Sequence, residues 1–208
     1  MATTTFSGAV RSQGGFTSVS KNSSPGAFTT LSSISSTGVS SFDANTMAVE
    51  AGTGITGGTG TIYRSSVQRV GGIITTRILI DLTGLRSTAS GDIIGVDGTS
   101  NVCHIGQITA ARNGTILTGS MECFEAPAGG DPDINVHSAT EGTGVEDGAI
   151  SSLTETLLVN AGDATLGSKV YFTAVPAADE FLYLTLGDTT NADYTAGKLF
   201  IELMGYEA

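Results

Sequence analysis

The clearest alternation in this chain runs from Ile73 to Leu82. Ile74, Ile78, Ile80 and Leu82 share one side of it, and Thr75, Arg77 and Asp81 share the other. Successive side chains of a strand point to opposite faces, so this period of two predicts a half-buried β-strand. The run IYRSSVQRV precedes it across Gly71-Gly72, and two such runs joined by a glycine pair read as a hairpin. Further strands are predicted at Asp92 to Val96, Val102 to Thr109, Thr115 to Phe124, Ile134 to Ala139, Glu155 to Val159, Ser168 to Ala174, Phe181 to Leu186 and Lys198 to Gly205. Turn signals separate them, notably Asn113-Gly114, Ala128-Gly129-Gly130, Ala161-Gly162-Asp163 and Gly187-Asp188. Short strands at this spacing predict an all-β sandwich or barrel. One segment satisfies two templates. Ile150, Leu153, Leu157 and Leu158 stand at helical spacing behind a glycine, so a short helix competes there with a strand.

Before Thr61 the pattern is different. Residues 1–60 contain eleven Thr, twelve Ser and ten Gly, with isolated apolar residues such as Phe6, Val10, Phe16, Val19 and Phe28 between them. So few hydrophobes build no core of their own. The segment reads as an extended arm whose aromatic anchors dock elsewhere, in preference to plain disorder. The organisation expected is therefore an N-terminal arm over residues 1–60 and a β-sandwich or jelly-roll-like domain over residues 61–208. Composition agrees: 29 glycines, 14% charged residues and no Trp suit strands and turns better than solvated helices.

Charge narrows the partners. The net charge of −11, with no cluster of Lys and Arg, argues against direct nucleic-acid binding. Its distribution is uneven. Residues 1–112 hold seven basic and five acidic side chains, and residues 113–208 hold two and fifteen. In the first 42 residues Arg11 and Lys21 are the only charges, so this stretch can approach an acidic partner without repulsion. No run approaches the ~20 apolar residues of a membrane helix. MATTTFSGAV lacks the basic and apolar regions of a signal peptide, so the expectation is a chain made and kept soluble. Cys103 and Cys123 make no disulfide framework; they read as two small buried hydrophobes, with a single bridge open if they fall on paired strands.

Candidate chemistry is thin. Gly52, Gly54 and Gly57 match GxGxxG in spacing, but Gly58 to Thr61 lead into a strand instead of the helix whose amides would face a pyrophosphate. Asp131, Asp133 and Asn135 alternate like the opening of a calcium loop, yet Val136 stands where its turn glycine belongs and Gly142 where its bidentate Glu belongs. A looser cation site from Asp131, Asp133, Glu141, Glu146 or Asp147 competes with a solvated acidic loop. Cys103, His104, Cys123 and His137 lack paired metal-ligand spacing, and adjacent Cys103 and His104 point to opposite faces of a strand. No GxSxG elbow is present. Carboxylate pairs such as Glu122 with Glu125, or Asp179 with Glu180, serve a glycosidase only across a cleft, and such clefts are usually lined by more aromatics than this chain has. The expectation is a non-enzymatic protein with no cofactor and no metal.

The opening MATTTFSGAVRSQGGF resembles the start of virion structural proteins encoded by marine tailed phages. IYRSSVQRVGGIITTRILIDLTGL, FEAPAGGDPDINV and ADYTAGKLFIELMGYE are similar to one family among them. The resemblance implies a virion component assembled in the host bacterium, either a capsid decoration (cement) protein on the shell exterior or a tail or fibre part. It supplies no catalytic residues. A cement protein grips its shell without chemistry, and a nearly uncharged arm suits that task over a long contact, whereas fibres usually show repeats or heptads. The expected partners are the major capsid protein and neighbouring copies of the chain, as a homotrimer if it follows the threefold placement of other decoration proteins. Phe6, Val10, Arg11, Phe16, Lys21 and Phe28 are the candidate capsid-binding residues. The rival is a receptor- or glycan-binding module using loops around Gly129 to Gly148.

Overall fold

The computed structural model describes residues 16–21, 28–34, 40–42 and 48–207, and the chain divides into two units, Met1–Met47 and Ala48–Ala208. In the first unit, β1 (Phe16–Lys21), β2 (Phe28–Ile34) and β3 (Ser40–Phe42) form an antiparallel sheet in that order. Its register sets Phe16 opposite Ile34, Lys21 opposite Phe28 and Ser32 opposite Phe42. The extended character expected here is present, and it is organised as a three-stranded meander.

The second unit is an all-β sandwich. One sheet has five antiparallel strands: β4 (Ile62–Val70), β5 (Ile73–Asp81), β8 (Thr115–Ala128), β11 (Lys169–Tyr171) and β14 (Ala196–Tyr206), in the order β11-β8-β14-β5-β4. The other has four: β7 (Gly106–Gln107), β9 (Ile134–Ala139), β10 (Glu155–Val159) and β12 (Phe181–Leu186), in the order β10-β9-β12-β7. A two-residue pair, β6 (Arg86–Ser87) and β13 (Ala192–Asp193), lies apart from both. The hairpin predicted from Gly71-Gly72 forms, and both glycines take positive φ, as a two-residue connection that follows strand twist requires.

Alternation directs the packing. Ile74, Ile78 and Ile80 of β5 and Leu199, Ile201 and Leu203 of β14 are fully buried, and the register sets Ile78 beside Ile201, which pairs on its other side with Met121. These side chains join Val136, Leu158, Leu182 and Leu184 of the four-stranded sheet in one hydrophobic cluster. Burying each such side chain stabilises the fold by ~1.5–3 kcal/mol before chain entropy is counted. In β12, Leu182 to Leu186 are all buried, so alternation is lost because both faces of that strand are covered.

The β unit starts earlier than the composition suggests. Residues 48–60 belong to it: Val49 and Ile55 are core residues, and the Ser65 hydroxyl donates to the Val49 carbonyl while accepting from its amide. Gly52, Gly54 and Gly57 are part of this packing. They frame a one-turn helix, α1 (Thr53–Thr56), inside the stretch expected to be arm, and Gly58 to Thr61 lead into β4 as expected. The Gly52 amide donates to the His104 carbonyl and the Gly54 amide to the Val102 carbonyl, so these donors are already used within the fold. A Cβ on Gly54 would sit 2.3 Å from Cys103 Sγ, which explains the small residue by close approach instead of phosphate binding.

Other segments differ from expectation: Val102 to Thr109 and Ser168 to Ala174, predicted as full strands, are strand only at Gly106–Gln107 and Lys169–Tyr171. Asp92 to Val96 makes single bridges to Ala149 and Thr185, not a strand. The ambiguous stretch satisfies both templates in turn, with a 3-10 turn at Ile150–Ser152 and then β10.

Candidate functional site

The two sheets are finished differently on their outer faces. On the four-stranded sheet, Phe181, Tyr183 and His137 face away from the other sheet and are capped by the connection from β9 to β10. Gly142 lies against the Phe181 ring and Gly144 against Tyr183, Ile93 and Leu153, each so closely that a Cβ would fall within 3 Å of the ring. The Tyr183 hydroxyl donates to the Glu141 carbonyl at 2.7 Å and accepts from the Gly144 amide at 3.2 Å. Burial pushes that phenol up to about 12, so it stays a donor across the ordinary pH range. His137 Nδ1 meets Glu155 Oε2 at 2.7 Å, and His104 packs its ring on Phe181 with centroids 5.0 Å apart. Much of the segment Gly129 to Gly148 is therefore strand β9 or a packed cover.

Among the described residues of the β unit, no segment caps the outer face of the five-stranded sheet. Register places Phe200 between Glu122 and Leu79, Glu202 between Ser120 and Arg77, and Lys198 between Glu125 and Asp81. Extending these rows to the edges adds Lys169 and Tyr171 on one side, Ile62, Arg64 and Ser66 on the other. Tyr171, Val70, Phe124, Ile62, Ile73 and Met204 on this sheet are all exposed. Phe124 sits at a register shift in β8, which turns its ring out to stack on Phe200 with centroids 5.1 Å apart and planes at 8°. Three shallow depressions lie along the face: one at Phe124 and Leu166, one at Tyr171 and Met204, and one at Leu79 and Phe200.

Charges on this face are matched. Arg77 pairs with Glu202 at 2.8 Å, Lys169 with Glu122 at 3.4 Å, and Lys198 with both Asp81 and Glu125. Lys198 is held in its charged form by Glu125 and Asp81 together, and hydrogen bonds from Thr83 help to hold the Asp81 carboxyl below its usual range despite some burial. Among the described residues, Arg64 is the one basic side chain here with no carboxylate within 4.0 Å; it donates to its neighbour's carbonyl. Four basic and four acidic side chains thus cancel on the face. Residues 48–208 as a whole hold seven basic and nineteen acidic side chains, so the remainder of the unit carries the full imbalance of −12.

The residues singled out for chemistry are dispersed. Asp131 is buried, with one carboxylate oxygen accepting from the Asp133 amide and the other from the Thr190 amide. Asn135 accepts from the Ala161 amide instead of turning toward a shared ion. Burial, with Asp131, Asp163 and Asp188 nearby, raises the Asp133 carboxyl above its usual range. Glu141 is occupied by the Thr154 amide and hydroxyl. Among the described residues no three His, Cys, Asp or Glu side chains gather as a metal site. Cys103 and Cys123 are both buried and free, and burial pushes the Cys103 thiol up to about 12. Glu122 and Glu125 are each occupied by a lysine on the open face. The Glu180 carboxylate accepts from the Ala177 amide.

Of the candidate capsid-binding residues, Phe6, Val10 and Arg11 lie outside the described residues. Phe16, Lys21 and Phe28 stand on β1 and β2, at the ends of their paired run. The open sheet face was missed by sequence reasoning. Its signal was available in retrospect: Ile62, Leu79, Phe200 and Met204 occupy strand positions opposite the core-facing set, where polar residues are expected.

These features define an all-β sandwich with one capped sheet and one open, charge-balanced sheet. No protein-family model, curated protein or solved structure matches the chain. Among the described residues no helix is long and apolar enough to cross a membrane.

Proposed function

We propose that this chain is a structural protein of a virus particle, a capsid decoration protein that attaches through its N-terminal unit and covers the shell with its β-sandwich. The observation that carries the reading is the division of charge between the two units. Residues 48–208 hold the whole negative excess, whereas residues 1–47 contain Arg11, Lys21 and a single carboxylate, Asp43. An acidic cover discourages adhesion between crowded particles, and a nearly uncharged N-terminal unit contacts an acidic shell with little repulsion. Among the described residues the core cluster lies within residues 48–208, which suits a cover that folds as its own unit. Phe6, Val10, Arg11, Phe16, Lys21 and Phe28 are the proposed contact residues, the major capsid protein is the proposed partner, and the capsid exterior is the proposed location.

Deleting residues 2–47 tests the reading. The shortened chain is expected to melt within a few degrees of the full chain and to lose binding to capsid shells in a co-sedimentation assay. Shells decorated as densely by the shortened chain would contradict it.

A further inference from the structure

We propose that the open face of the five-stranded sheet docks a second copy of this chain, face to face, about a two-fold axis running along the strands between β14 and β5. The proposal goes beyond the virion reading and stands or falls apart from it.

Size permits the contact. Four strands of each copy overlap about this axis, and at ~4.8 Å spacing with nine residues at ~3.4 Å each they give a footprint of roughly 600 Å² a side, toward the small end of specific interfaces, to which each partner typically contributes ~800 Å². Net charge restricts where a copy can approach. Two units that each carry −12 repel over most of their surfaces, and the open face, with its four basic and four acidic side chains, is a region where the balance is zero.

The arrangement of residues fixes the axis. Cross-strand partners lie at the same height along the strands, so this two-fold sets β5 on the copy's β14 and β4 on the copy's β8. Leu79 then meets Phe200, Arg77 meets Glu202, and Asp81 meets Lys198. At the next strands outward, Arg64 meets Glu122, which supplies the carboxylate that Arg64 lacks among the described residues. No like charges face one another. Moving the axis onto β14 would instead set Arg64 against Lys169, so charge selects the first arrangement. Sheets packed face to face cross at about 30°, which keeps this correspondence closest at the Phe200–Leu79 centre. An isologous contact of this kind makes pairs, in place of the threefold grouping expected from the resemblance.

The test uses the full chain in sedimentation velocity, with charge reversals at two surface positions. A dimer is expected, and Arg64→Glu or Glu122→Arg alone should raise its dissociation constant about tenfold or more. Combining the two should restore it to within about threefold, a rescue that a merely structural role would not produce. Arg64→Cys combined with Glu122→Cys should be joined between chains by a short thiol-reactive crosslinker, because facing sheets stand ~10 Å apart. The two positions lie three strand spacings apart within one chain, ~14 Å, so a crosslinker that spans only about 10 Å joins them between chains and not within one. Both native thiols are buried. A full chain that sediments as a monomer throughout, or an oligomer indifferent to the reversals and uncrosslinked by the cysteine pair, would overturn the proposal. Shell binding, measured separately, reports on the virion reading alone.

Discussion

Glu146 occupies the least comfortable position among the acidic residues. Its side chain is 8% exposed as a residue, Oε2 accepts from the Gly98 amide at 3.3 Å, and Oε1 has no partner. Burial and the neighbouring Asp147 and Asp97 raise its carboxyl to about 7, from an ordinary 4.5. The folded state therefore holds this proton more tightly than the unfolded chain. Stability from this group is fully present below pH 4.5, falls as pH rises toward 7, and is level above. Replacing Glu146 with Gln keeps an acceptor for Gly98 and removes the charge. Thermal melts should show the Glu146→Gln chain more stable than the parent at pH 8 and nearly equal at pH 4; a variant less stable at pH 8 would contradict the assignment. Sequence reasoning placed Glu146 in a solvated acidic loop, because no local pattern shows that Gly95 leaves room for it: a Cβ on that glycine would fall 3.0 Å from the Glu146 Cβ. Asp131 was misjudged for a similar reason. Its alternation with Asp133 resembles ion ligation, yet its oxygens serve backbone amides, one of them at Thr190, far along the chain.

At the scale of elements, periodicity was informative wherever a strand has one buried side. Strands β5 and β14 are present close to their predicted limits, because apolar residues every second position leave little freedom of register, whereas β9 and β12, covered on both faces, were delimited by the turn signals around them. Asp92 to Val96 failed because its apolar residues serve the core through isolated bridges, a long-range arrangement that a local window does not register. Helix α2 (Ala110–Asn113) was missed at the predicted Asn113-Gly114 turn. Asn113 is buried there, its oxygen accepting from the Thr109 amide and its nitrogen donating to Thr76 of β5. Gly114 follows with φ of 68°, and a Cβ would lie 2.3 Å from the Tyr206 carbonyl oxygen. Gly114→Ala should therefore cost at least ~2 kcal/mol in chemical denaturation. Gly71→Ala is the control: its φ is also positive, but nothing lies within 4 Å, so only the ~1–2 kcal/mol conformational cost applies. Equal losses at the two sites would show that close packing at the start of β8 contributes nothing.

For the whole molecule, the all-β class was readable from glycine content, turn signals and alternation, while the division of labour between the two sheets was not. One sheet is buried on both sides because a loop fifteen residues long, from Thr140 to Thr154, folds back on it. The other remains open and electrically balanced on a strongly acidic body. Composition averages over both surfaces, and only strand order brings Arg64, Arg77, Glu122 and Glu202 onto one face. The boundary between units was also set too late, since Val49 and Ile55 enter the core from a stretch whose Gly and Thr content resembles the arm.

The central claim is that this chain coats a capsid, and its stoichiometry tests that most directly. Quantitative gel densitometry of purified virions carrying this chain, with the major capsid protein as internal standard, gives the number of copies per particle. Decoration predicts hundreds of copies, in a fixed ratio to the major capsid protein. A handful of copies per particle would place the chain at the tail or on a sparse fibre and contradict the account.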